Sequence, residues 1–326
     1  MLFNETPGAT QLAIVPEEMK LSIKRILCPI DFTEFSERAL RYAISLARHF
    51  SAQLYVQYVA ELPQFLTNGG PDPIDAEAWQ RQIPEVEQEI RELLEQNGIS
   101  TSEARVLVSK GRALDRILET ISGANVDLLV MGTHGHKGFN HLLLGSVTEG
   151  AIHRVPCPVL AISRPQKDFI HPEEPETVRL KTILFATDFS SNSDRALYYT
   201  LKWASEWAAK VVIVHVVPET PGLTRLFPEY NPYFERQVTS AWQKIHQVLP
   251  ESVEQTCEVR YEVRQGNPKD EILRVAQEKA ADLIIMGAQG SGDAAALWGS
   301  VSSAVVRAGR LPVLVVRARQ HLLWRC

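Results

Sequence analysis

Long hydrophobic runs are missing from this chain of 326 residues. None reaches the ~18 consecutive apolar residues that a membrane-spanning helix needs, so no transmembrane segment is expected. Met1 to Lys20 carries acidic residues and no long apolar core; it does not read as a secretory signal and is expected to be a loose leader. Cysteine is scarce. The four residues, Cys28, Cys157, Cys257 and Cys326, form no C-x-x-C pair and no metal-ligand spacing. Cys28 and Cys157 stand in apolar runs and read as buried free thiols. A surplus of positive charge is missing too. The net charge of −5 offers no general pull toward nucleic acid or an anionic membrane. A cytoplasmic globular protein is the reading these absences leave.

What is present is an alternation of strand-like and helix-like stretches. Hydrophobic residues make up 45% and charged residues 22% of a chain long enough for roughly two domains. Residues 23–31 read as a buried strand ending in Asp31. Ser36 is placed to cap a helix whose apolar face is Leu40, Ala43, Ala47 and Phe50. Leu54 to Val59 is a second strand, and a helix over about 76–96 is stopped by Asn97-Gly98. Ala104 to Val108, Asp127 to Met131 and Val159 to Ser163 read as further strands, with helices over Leu114 to Ser122 and Ser146 to Arg154. Strands alternating with helices make a parallel sheet with right-handed crossovers, an α/β doubly wound domain. Residues 164–179, with three prolines and no periodicity, read as a linker.

After the linker the pattern starts again. Cys28-Pro-Ile-Asp-Phe-Thr-Glu-Phe-Ser-Glu-Arg-Ala-Leu40 aligns with Phe185-Ala-Thr-Asp-Phe-Ser-Ser-Asn-Ser-Asp-Arg-Ala-Leu197, at an offset of 157. Asp127-Leu-Leu-Val-Met-Gly132 aligns with Asp282-Leu-Ile-Ile-Met-Gly287 at 155, and Gly145-Ser-Val147 with Gly299-Ser-Val301 at 154. A slowly drifting offset is what a tandem duplication with small loop insertions and deletions leaves, and this period is that of a domain repeat rather than a solenoid.

The chemistry concentrates after the fourth strand. There Gly132, Gly135, Gly138 and Gly145 lead into Ser146 and a helix. A glycine-rich loop that ends at a helix N-terminus can aim several N–H groups at one anion, although tight turns would also use such glycines. In a doubly wound sheet, ligands bind beyond the C-terminal strand ends where the strand order reverses. If the first and fourth strands are neighbours, Asp31, Val59 and Gly132 line one crevice. Asp31 can accept from an exocyclic amine or hydroxyl, or simply serve as an acid at a helix start. Val59 can face a flat base, or be ordinary core. Base on one side and phosphates on the other outline an adenine nucleotide site.

With these motifs in place, the chain resembles the universal stress protein family in its tandem form. The family's nucleotide signature is Gly, two residues, Gly, nine residues, Gly, then Ser or Thr; Gly132, Gly135, Gly145 and Ser146 match it. Pro29-Ile-Asp31-Phe-Thr, Pro156-Cys-Pro158-Val-Leu, Thr187-Asp188-Phe-Ser190 and His215-Val-Val-Pro218 are similar to the family as well. The resemblance implies domains at 22–164 and 180–318 joined by a linker at 165–179. It implies a five-stranded sheet of order 3-2-1-4-5 in each, pairing through the fifth strands, a stress-response role, and ATP binding in one subclass. On that order Val159 to Ile162 and Val313 to Val316 are apolar edges that seek a partner, and antiparallel pairing within one chain is expected. A further homodimer is left open.

Carried onto this sequence, the first nucleotide site comprises Pro29, Asp31, Val59, Met131, Gly132, Gly135, Gly145, Ser146 and Val147. The equivalent second site comprises Thr187, Asp188, Val216, Gly287, Gly290, Gly299, Ser300 and Val301. The second departs from the signature, with eight residues between Gly290 and Gly299. Its loop carries Asp293 and three alanines where the first has His136, Lys137 and His141. ATP, with or without Mg2+, is therefore expected in the first half alone. His134-Gly-His136 echoes the paired histidines of nucleotidyltransferases but follows the wrong strand, and no catalytic base with a partner is visible. No enzymatic activity is expected, slow hydrolysis being the open alternative, as is a scaffold that takes another small molecule. The stretch Phe227 to Phe234 reads as a lid, a surface for an unidentified protein partner, or a loop packed on its own domain.

Overall fold

The computed structural model describes residues 22–61, 76–100, 102–133, 144–164, 167–171, 174–218, 231–249, 257–288 and 300–317. In the first half, β1 (Arg25–Ile30), β2 (Gln53–Ala60), β3 (Ala104–Lys110), β4 (Leu128–Gly132) and β5 (Val159–Ile162) alternate with α1 (Glu34–Phe50), α2 (Ala76–Gln96), α3 (Ala113–Ala124) and α4 (Ser146–Arg154). After β6 (Ile170–His171) and β7 (Glu174–Val178), the second half repeats the order. It has β8 (Thr182–Ala186), β9 (Lys210–Pro218), β10 (Val259–Gly266), β11 (Leu283–Gly287) and β12 (Val313–Val316), with α5 (Ser191–Trp207), α6 (Asn231–Ile245), α7 (Pro268–Glu278) and α8 (Ser300–Ala308).

One ten-stranded sheet runs through both halves in the order β10-β9-β8-β11-β12-β5-β4-β1-β2-β3. Each half therefore has the order expected from the resemblance. The halves meet where β12 pairs antiparallel with β5, Leu314 opposite Leu160. Neither apolar fifth strand is left as an edge.

Period-two alternation sorts the core into two layers. Ile26, Cys28, Leu128 and Val130 point to the side covered by α1, α2, α5 and α6, where Leu40, Ile90, Trp203 and Ile245 are buried. Leu27, Leu129 and Met131 point to the side of α3, α4, α7 and α8, with Ile117, Ile152, Val275 and Val305. Cys28 and Cys157 are free and buried, and burial pushes the Cys157 thiol up to about 12.

Two local expectations need correction. Thr33, not Ser36, is the N-cap of α1: its side chain accepts from the Ser36 N–H, and Ser36, in the third helical position, accepts in return from the Thr33 N–H at 3.1 Å. The reason is Phe32, whose left-handed φ of 57° turns the chain just before Thr33. The linker is also not structureless. β6 and β7 pair as an antiparallel hairpin, and the preceding Phe169 is fully buried, its ring edge-on to Tyr42 at 4.9 Å. Burial of Phe169 and Ile170 ties down a segment whose prolines suggested a tether.

Candidate functional site

The register of β1 with β2 pairs Ile30 with Tyr58, which brings Asp31 level with Val59 at the C-terminal edge. The register with β4 pairs Leu27 with Leu129, and two residues on it sets Pro29 level with Met131. The alternation that turns Leu27, Tyr55 and Met131 toward α3 and α4 continues through Pro29, Asp31 and Val59. Pro29, Asp31, Val59 and Met131 therefore share one side of the sheet at the point where the strand order reverses.

Asp31 is held in place locally. Its Oδ1 accepts from the Thr33 hydroxyl at 2.6 Å and the Thr33 N–H at 3.2 Å, so the role of an acid at a helix start is realised. Between them Phe32 sits at positive φ and packs on Tyr58 with ring centroids 5.4 Å apart. A bulky residue in that region costs on the order of 1–3 kcal/mol and persists only where its surroundings fix it. Burial, with the charges of Glu89 and Asp31, pushes the Tyr58 hydroxyl pKa up.

On the same side, α4 begins at Gly145, a cap position with no side-chain hydrogen bond. The Gly145 N–H donates to Thr133 O at 2.8 Å, and the Thr148 hydroxyl donates to Gly132 O at 2.7 Å. These two bonds lock the first turn of α4 onto the end of β4. The first-turn amides of Ser146, Val147 and Thr148 precede the first intrahelical bond, and the helix dipole makes that end favourable for an anion. Ser146 is exposed, while Val147 is half-buried against the α3 and α4 layer. Gly132 answers a steric demand instead, since a Cβ there would lie 2.8 Å from the backbone carbonyl carbon of Phe35. This glycine lets α1 pack against the end of β4. Gly135, His134, His136, Lys137 and His141 lie outside the described residues.

The second half builds the same frame with other side chains. Asp188 Oδ1 accepts from the hydroxyls of Ser190 and Ser193, each at 2.6 Å. Thr187 and Val216 are buried, Phe189 repeats the positive φ at 61°, and its ring stacks on His215 at 4.3 Å. Burial lowers the His215 pKa. A Cβ at Gly287 would meet Asn192 Cβ at 3.0 Å, so this glycine too serves packing against α5. Ser300 opens α8 and Val301 is half-buried against the core. Gly290, Asp293 and Gly299 lie outside the described residues. On the opposite face, Phe185, Thr187, Phe189, Leu197, Lys244 and Val248 line most of a cavity of about 260 Å³. Of the stretch Phe227 to Phe234, Asn231 onward opens α6, where Phe234 is buried and Tyr233 exposed; the rest lies outside the described residues.

One contributor to the site was not singled out from the sequence. Gly111 and Gly266, aligned at an offset of 155, hold φ of 131° and 141° at the turns into α3 and α7. Such values are essentially glycine-only. Over each turn folds one aligned side chain: a Cβ at Gly111 would lie 3.5 Å from Arg116 Nε, and one at Gly266 would lie 3.3 Å from Glu271 Cγ. The turn after β3 adjoins the end of β2, since Val59 pairs with Ser109. The first crevice is thus flanked by Arg112 and Arg116, where the second has Asn267 and Glu271. The aligned repeat carried this signal, but only the turn geometry shows where it points. Among the described residues there is no cluster of metal ligands and no helix long and apolar enough to cross a membrane.

The universal stress protein family model matches residues 22–163 and 179–317. The chain belongs to the universal stress protein family and carries two of its domains in tandem. A universal stress protein of Methanocaldococcus jannaschii is 31% identical over 147 residues, which is 44% of this chain and 85% of the relative. One from Thermus aquaticus is 31% identical over 140 residues, 43% of this chain and 98% of that protein. The crystal structure of a universal stress protein from Archaeoglobus fulgidus matches nearly the whole molecule. Its TM-score is 0.64 at 25% identity, covering 92% of this chain and 98% of that one.

Proposed function

We propose that this protein binds ATP in the crevice of its first half and acts in a cytoplasmic stress response through nucleotide-dependent interaction with a protein partner. In this reading the base lies by Asp31 and Val59, and the phosphates lie over the N-terminus of α4 at Gly145, Ser146 and Val147. The second crevice is degenerate. The observation that carries the reading is the start of α4 at Gly145, which has no side chain to cap it, fixed to β4 on the same side of the sheet as Pro29, Asp31, Val59 and Met131. Arg116 is paired with Glu119 at 2.8 Å and Glu271 with Arg274, so the assignment to the first half rests on its complete glycine spacing and basic loop. Nucleotide is taken free or as its Mg2+ complex, and no hydrolytic step is assigned, since no positioned base accompanies the site among the described residues.

Mg-ATP should raise the melting temperature, because a ligand that binds only the folded state stabilises it by mass action. Gly145→Val should abolish that rise by blocking the approach of phosphate to the helix start. An unchanged rise in a folded Gly145→Val variant would place the site elsewhere, and no rise in the unaltered protein would overturn the reading.

A further inference from the structure

Several contacts between the halves join residues that the repeat aligns with each other. α1 and α5 are both 17 residues long, and the offset of 157 matches His49 with Glu206 and Phe50 with Trp207. These counterparts touch. His49 Nε2 lies 2.8 Å from Glu206 Oε1, and the Phe50 and Trp207 rings meet edge to face at 5.6 Å. In the sheet, Leu160 faces Leu314, an aligned pair at an offset of 154. Residues that touch their own counterparts mark a two-fold relation, so these three pairs trace the pseudo-two-fold axis of the molecule.

Off the axis, contacts come as exchanged pairs. His153 Nε2 lies 3.3 Å from Ser303 Oγ, and Arg307 lies 3.8 Å from Glu149. The offset of 154 converts one pair of positions into the other. The Ser163 hydroxyl donates to Gly309 O at 2.7 Å, while its counterpart Arg317 donates to His153 O, near but not at Val155, the counterpart of Gly309. The frame is symmetric and the side chains on it are not.

Main-chain pairing of β5 with β12 carries no identity, because any strand edge offers the same donors and acceptors. An axis position does carry identity, since like-with-like pairing sets each residue against itself. Glu206 would face Glu206, two like charges, and His49 facing His49 would lose its acid partner. The pair sits at the rim of the interface, where His49 is exposed and Glu206 half-buried, so added salt weakens it in part. Discrimination of this kind needs an unfavourable wrong pairing as well as a favourable right one.

We propose that the interface along this axis is matched for unlike halves: the α1 and β5 surface of the first half recognises the α5 and β12 surface of the second and disfavours a second copy of itself. The connecting segment reinforces the choice within one chain. Asp168 accepts from Arg38 at 2.9 Å and from Tyr42 at 2.6 Å, Phe169 packs against both Tyr42 and Trp203, and Lys167 pairs with Asp282.

The test is a charge exchange in the full chain, followed by thermal unfolding near pH 6. Because the two positions are symmetry-related, H49E/E206H restores the same pair with its members exchanged in equivalent surroundings. H49E and E206H alone should each lower the melting temperature by about 2–4 °C, and the exchanged double variant should return to within about 1 °C of the unaltered protein. Single variants without effect, or a double variant that shows the sum of the two losses, would overturn the proposal.

Discussion

A methyl group added at Gly132 would press on the Phe35 backbone, which cannot swing aside as a flexible side chain would. Gly132→Ala should therefore cost about 2 kcal/mol in urea unfolding, whether or not nucleotide is present. Sequence spacing marked this glycine as part of a phosphate loop; close packing of α1 on β4 imposes the same residue, and only coordinates separate the two demands. His215 illustrates a second effect. Burial holds its pKa below the ordinary imidazole value, so the fold favours the neutral ring. Stability from this group is complete above about pH 6.5 and is lost as pH falls through the lower folded value, because the unfolded chain then binds more protons. His153 is lowered by burial in the same way. Unfolding free energy should fall between pH 7.5 and 5.5, and His215→Gln should flatten that fall; an unaltered slope would remove His215 from the account.

Among the elements, the five strands of the first half, and the helices α2 and α4, were legible because their apolar periods and stop signals are strong. The Asn97-Gly98 stop is one case, with Gly98 at φ 71° just after the helix ends. The start of α1 was less so. Any of several hydroxyls could cap it, and the decision rests with Phe32 at positive φ, a conformation that no propensity predicts. Thr33→Ala should cost about 1 kcal/mol, since Thr33 both caps the helix and donates to Asp31. Thr33→Ser should recover most of that loss. The β6–β7 hairpin was not legible at all, because its anchor, Phe169, is a single aromatic whose pocket is made by Tyr42 and Trp203 from different halves.

For the molecule as a whole, duplication supplies two copies of one frame, and the proposed function rests on the differences between them. Both halves keep an Asp after the first strand, a positive-φ Phe, a packing glycine and a Ser at the start of the last helix. Their loops and their third-strand turns diverge. The sequence showed that divergence in the loop of Asp293, while the turn that sets Arg116 against Glu271 needed the fold to become meaningful. Arg116→Glu, which leaves Glu119 without its partner and adds a second carboxylate beside it, should weaken ATP roughly tenfold, an effect that shrinks with added salt.

Calorimetric titration of nucleotide-free protein with ATP tests the central claim most directly, because it counts sites as well as affinity. The account predicts one site per chain, lost in the Gly145→Val variant and retained when Ser300 is replaced by Ala. Two equivalent sites per chain, or a single site that survives Gly145→Val, would contradict it.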